Sequence, residues 1–124
     1  MADTKVQSYI DSIQTSLDNI ISTVEKLPED TIRWNPTEDE WSILQILNHV
    51  AEATDFWLGE MDNVLENPGS KWGRGLQHEG RLAAVDNPEA LNVNEVIEEV
   101  KSKKAVIENR FTGRIDIFLT GFAI

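Results

Sequence analysis

The stretch Glu40-Trp41-Ser42-Ile43-Leu44-Gln45-Ile46-Leu47-Asn48-His49-Val50 opens the segment on which the fold turns. From it, Ile43, Ile46, Leu47, Val50, Thr54, Trp57, Leu58, Met61, Val64 and Leu65 recur at steps of three and four. That is the period of one face of an α-helix. Thr37-Glu38-Asp39-Glu40 reads as a capping box ahead of the run, and Pro68-Gly69 stops it. The spacing predicts a helix over residues 40–66.

Working outward, Val6, Tyr9, Ile10, Ile13, Leu17, Ile20, Ile21 and Val24 predict a helix over 4–26, capped by Asp3 or Thr4 and ended at Leu27-Pro28. Residues 29–39 read as a connector. Downstream, Val93, Val96, Ile97, Val100, Ile107 and Phe111 predict a helix over 92–112. Lys103 and Lys104 interrupt one of its turns, Asn92 and Glu95 form its cap pair, and Gly113 is its stop. Between the second and third helices, Gly69, Gly73, Gly75, Gly80 and Pro88 predict a long loop over 67–91. Its chemistry lies in Trp72, Arg74, His78, Glu79, Arg81 and Asp86. Long loops inside compact domains are often functional. The tail 114–124 is strongly apolar, and the alternation of Ile115, Ile117 and Leu119 suits a short strand or an extended arm. Three amphipathic helices and no other strand signal predict an all-α bundle in a single domain over 1–124.

The chain has 124 residues, 40% of them hydrophobic and 27% charged, which suits a globular protein rather than a disordered one. The formal charge of −11 disfavours general nucleic-acid binding. The basic cluster of Lys101, Lys103, Lys104, Arg110 and Arg114 reads as cations near a helix C-terminus. With no cysteine there is no disulfide, no thiolate metal site and no cysteine nucleophile. No run is apolar and long enough to span a bilayer, and no signal core is present, so the expectation is a cytoplasmic protein without a membrane partner.

The segment Arg33-Trp34-Asn35-Pro36, followed by Trp41-Ser42 and then by His49, resembles the DinB/YfiT-like metalloenzyme family. The resemblance runs from about Thr4 to Gly113. It implies an up-down-down-up four-helix bundle, commonly dimeric. It also implies a divalent metal, often zinc or nickel, held by three histidines: one in the second helix and two four residues apart in the fourth. Some members transfer or isomerise substrates with low-molecular-weight thiols such as bacillithiol or mycothiol, and hydrolase-type chemistry is a further expectation. His49 matches the histidine of the second helix. After Gly113 no His-x-x-x-His pair follows, so the expectation is a fourth helix truncated or replaced and a degraded metal site.

His49 lies just outside the edge of the apolar stripe of its helix. It is the family-matched ligand, set against a boundary histidine satisfied by a carboxylate or water. His78 is the second candidate ligand, reaching the site only if the loop folds back, and Glu52, Asp55 and Glu60 are the oxygen candidates. A catalytic zinc takes three protein ligands and an open position, which His49 alone does not supply. A di-iron Glu-x-x-His is absent, because Ile46 stands three before His49. Gly73-Arg74-Gly75 is too short for a phosphate loop, and Ser42 reads as part of a helix start rather than as a nucleophile. The catalytic residues therefore stay unassigned. Two functions are expected on these grounds: metal-dependent thiol transfer or hydrolysis, and a non-catalytic helical bundle that forms homodimers through its apolar faces.

Overall fold

A computed structural model describes residues 2–112, in which every regular element is helical. Helix α1 spans Ala2–Glu25, α2 Glu29–Arg33, α3 Ile43–Glu66, α4 Glu79–Ala83 and α5 Val93–Thr112, with a 3-10 turn at Pro88–Ala90. The three long helices are those expected. The two five-residue helices break up what read as plain connector and loop. The expected arm over 114–124, with its strand-like alternation, lies outside the described residues. No helix among the described residues is long and apolar enough to cross a membrane.

The start of α3 corrects the expected boundary. Thr37 does not cap it. Its hydroxyl accepts from the Asp39 amide in a local turn, and the helix begins six residues later. The cap is Ser42, whose hydroxyl accepts from the Gln45 amide at 3.1 Å while Gln45 Oε1 accepts from the Ser42 amide at 2.8 Å. Asn35 reinforces this box by donating to Gln45 Oε1, and Gln45 Nε2 donates on to the Val85 carbonyl. The box therefore ties the connector, α3 and the chain after α4 together. Helix α1 begins at Ala2, ahead of the caps expected at Asp3 or Thr4. For α5 the expected cap holds, with the Glu95 amide donating to Asn92 Oδ1 at 3.0 Å.

Ser42 is 2% exposed, so its lost cap has no water to replace it. Ser42→Ala is expected to lower unfolding stability by about 1–2 kcal/mol, the upper part of the range for N-caps. Urea unfolding followed by circular dichroism reads it, and a loss below about 0.3 kcal/mol would count against the box as a structural tie.

The core forms where α1 and α3 both pack on α5. Leu17, Val24, Ile32, Leu44, Leu47, Ala51, Leu58, Val93, Val96, Val100 and Ile107 form one buried cluster. Ion pairs fix the register. Lys103 meets Asp55 and Arg110 meets Asp62, so α3 and α5 run parallel. Lys104 meets Asp18 and Lys101 meets Glu25, so α1 runs antiparallel to α5. This is the up-down-down course of an all-α bundle.

Lys103 does not interrupt the α5 stripe; it continues it. The residue is buried between Val100 and Ile107, its ammonium reaching Asp55 at 2.8 Å and Glu99 at 3.1 Å. Burial works against its charge, but the hydrogen bonds to Asp55 and Glu99 outweigh it and raise its pKa. The aliphatic stem packs while the head stays paired, as long basic side chains do at a core edge.

Candidate functional site

The chain between α3 and α5 folds back over the outer face of α3, and the polar side chains gather there. Arg74 drives this. Its guanidinium donates to both oxygens of Glu52, each at 2.6 Å, and lies 4.2 Å from the centre of the Phe56 ring. Glu52 and Phe56 are one helical turn apart on α3, so the fork meets a carboxylate and an aromatic face at once. Planar guanidinium suits both contacts. The Arg74 side chain is only 5% exposed. Gly69 and Gly73, at φ +88° and +94°, make the turns that bring Arg74 there.

Next to this pair stands the cap of α4. His78 Nδ1 accepts from the amides of Gly80 at 3.1 Å and Arg81 at 3.4 Å. The His78 ring meets Phe56 edge-on at 5.2 Å. A Cβ on Gly80 would lie 3.1 Å from His78 Cε1 and 3.2 Å from Glu52 Oε2, so a larger residue there would press on both side chains. Asn48 anchors the far end of α4 by donating to the Ala84 carbonyl at 2.7 Å.

His49 lies around α3 from Glu52, tilted against Trp41 at 5.2 Å. The guanidinium of Arg81 covers the same Trp41 ring at 5.2 Å. His49 Nδ1 is buried with no hydrogen-bond partner among the described residues. Burial, then the charges of Arg81 and Arg74, hold its pKa below the ordinary 6.5, with Glu52 opposing them. The expected boundary position of His49 is therefore found, but no carboxylate or amide satisfies its buried nitrogen.

His49 also forms one wall of an apolar groove of about 330 Å³ between α1 and α3. Its sides include Ile13, Val50, Trp57 and Met61, and its floor is Ile107 and Phe111 of α5. Ile13 is 42% exposed and Trp57 38%, although both belong to the stripes read as core.

The candidate metal donors do not converge. Glu52 is held by Arg74, Asp55 by Lys103, and His78 Nδ1 by the amides of α4. Among the described residues no group of three or more His, Asp or Glu side chains is placed to hold a metal ion, Glu60 included. Among the described residues the one orphaned side-chain nitrogen, His49 Nδ1, is closed to solvent, and the nearby arginines oppose a dication. The residues present do not fit the three-ligand centre that the resemblance implies. Sequence reading singled out Arg74 and Arg81 only as loop residues. The signal that pairs Arg74 with Glu52 is tertiary, and no local spacing carries it.

Acid is expected to destabilise the fold in two stages. His49 has a lowered folded pKa, so between the ordinary 6.5 and its folded value the unfolded chain binds more protons and stability is lost as pH drops. The hydrogen bonds from Arg74 lower the Glu52 pKa from the ordinary 4.5. Its contribution is full above that value and is lost as pH falls further. Thermal unfolding between pH 8 and 3 reads both stages. A His49→Phe variant is expected to lack the upper one; an unchanged profile in that variant would remove His49 as its cause.

The sequence profile of the DinB superfamily matches residues 12–113. No curated protein and no solved structure gives a significant match.

Proposed function

This chain belongs to the DinB superfamily, and from that premise we propose that it is a non-catalytic, self-associating helical protein of the cytoplasm. The observation that carries this reading is the engagement of the donors: both Glu52 oxygens are taken by Arg74, and His78 Nδ1 is taken by the start of α4. A metal-dependent transferase or hydrolase needs such groups free to bind zinc or nickel and to leave one position open. In this reading His49 is a former ligand and His78 a structural cap.

Self-association is supported by the apolar side chains left at the surface. Tyr9 and Ile13 of α1, Ile46 and Trp57 of α3, and Trp72 beside Trp57 are all more than a third exposed. Exposed apolar patches of this kind mark interaction surfaces. The charge of −11 opposes close approach of two copies but is screened at physiological salt. The same charge argues against a nucleic-acid partner.

Two measurements on the untagged protein test the proposal. Elemental analysis for zinc, nickel and manganese is expected to find well under one equivalent per chain. Light scattering is expected to find a dimer. One tightly held equivalent, lost in His49→Ala, would overturn the non-catalytic reading and make His78 the first residue to test as second ligand. A monomer at high concentration would overturn self-association.

A further inference from the structure

We propose that the Glu52–Phe56 face of α3 is a receptor for an arginine side chain of a basic partner peptide, and that this chain's own Arg74 latches it closed as an internal occupant. The two halves of the contact differ in rigidity. Glu52 and Phe56 stand one turn apart within the 24-residue α3, so they hold their geometry when the chain above them lifts. Arg74 belongs to the non-helical strap between α3 and α4. Among the described residues the backbone hydrogen bonds of that strap are local, the Ser70 amide donating to the Asn67 carbonyl and the His78 amide to the Gly75 carbonyl. Side chains alone press it to α3: Arg74 on Glu52 and Phe56, Trp72 on Trp57 with ring centres 5.1 Å apart, and the His78 ring on Phe56. Trp72 is 55% exposed and Leu76 71%, so the strap buries little apolar surface and belongs to the part of a fold that opens at low cost.

The receptor selects a guanidinium. A planar fork meets both carboxylate oxygens while its face lies on the Phe56 ring, and an ammonium does not make both contacts at once. The site is also open to an incoming fork. The Glu52 side chain stays 28% exposed while Arg74 is 5% exposed, so exchange begins on the open side of the carboxylate and keeps it paired throughout. The formal charge of −11 draws cationic partners and repels acidic ones. Magnitude decides between a free guanidinium compound and an arginine borne on a peptide. Arg74 is tethered, with an effective concentration on the order of millimolar. A lone guanidinium must exceed that to displace it. An arginine whose neighbours also reach the Trp57 ring that Trp72 then vacates binds through more than one contact. The inference goes beyond self-association and does not depend on it.

The probe is a capped peptide copying residues 70–76, Ser-Lys-Trp-Gly-Arg-Gly-Leu, set against the same peptide with lysine at the arginine position and against ethylguanidinium. The full-length Arg74→Ala variant leaves the receptor empty. It is expected to bind the arginine peptide about tenfold more tightly than the wild type does, and about tenfold more tightly than it binds the lysine peptide. Adding Glu52→Gln to Arg74→Ala should abolish the preference for arginine. In the wild type, the side-chain Nε–H signal of Arg74, assigned by its loss in Arg74→Lys, is expected to shift as the arginine peptide is added. Circular dichroism checks that each variant is folded, and the wild-type titration keeps the test decisive if Arg74→Ala does not fold. Equal binding of both peptides, a preference that survives Glu52→Gln, or no binding to folded Arg74→Ala at millimolar peptide would overturn the receptor. An Arg74 signal that never moves in the wild type would overturn the latch and make the pair a permanent tie. Ethylguanidinium binding as tightly as the peptide would overturn the peptide as occupant and give the site to a small guanidinium compound.

Discussion

Leu44→Ala is expected to lower unfolding stability by about 3–4 kcal/mol, within the range for leucine truncation in a packed core. Leu44 is 0% exposed, in the first turn of α3, and belongs to the buried cluster that joins α3 to α5. Two terms add. The lost side chain no longer gains from burial, and the cavity left behind closes only in part. Collapse is difficult at this site because Ser42 beside it is fixed by the capping box. For a chain of this size the loss corresponds to about 10–15 °C in Tm. Leu44→Met nearly conserves volume and is expected to cost under about 1.5 kcal/mol. Thermal and urea unfolding of the two variants read the difference. A Leu44→Ala loss below 1 kcal/mol would show that the core does not close there.

The Glu52–Arg74 pair should give the second large effect, and an asymmetric one. Glu52→Ala leaves a guanidinium that is 5% exposed without its carboxylate, and is expected to cost about 2–3 kcal/mol. Arg74→Met leaves a carboxylate that is 28% exposed and can still be hydrated, so about 1–2 kcal/mol is expected. The double variant should cost less than the sum of the two, because each single change already removes the shared interaction. Both single variants should also release the chain that follows α3, read as faster cleavage around residues 70–78 by a protease. Additive losses with an unchanged cleavage pattern would mean that the pair does not hold this segment against α3.

The apolar period along α3 carries its helical nature but not which of its faces is covered. Ile46 and Trp57 counted as core in the stripe, yet they are 47% and 38% exposed; Leu44 and Ala51 fell outside it and are buried. The helix is apolar over a wide arc. Periodicity locates such an arc but not the part of it that a neighbour covers. The same holds for α1, where Ile10, Leu17 and Val24 are buried while Tyr9 and Ile13 are 61% and 42% exposed. His49 was legible through its place after Trp41-Ser42. Its buried, unpartnered nitrogen was not, because that depends on Trp41 and on the segment carrying Arg74 and Arg81.

By itself the sequence determined that this protein is a bundle of three long helices, where each lies to within a few residues, and which superfamily it belongs to. Those properties follow from local period, from prolines and glycines at the element ends, and from a short motif around His49. Only the tertiary structure decided that α3 starts at Ser42 and not at the expected Thr37 box. A buried Ser42 hydroxyl has no water to bond, so the Gln45 amide must satisfy it. It likewise decided that Lys103 lies in the core edge opposite Asp55. It decided too that Glu52 meets Arg74, 22 residues away, and that His78 Nδ1 caps the start of α4. Contacts across such separations depend on how helices and loops come together in space, and no spacing along one element encodes them.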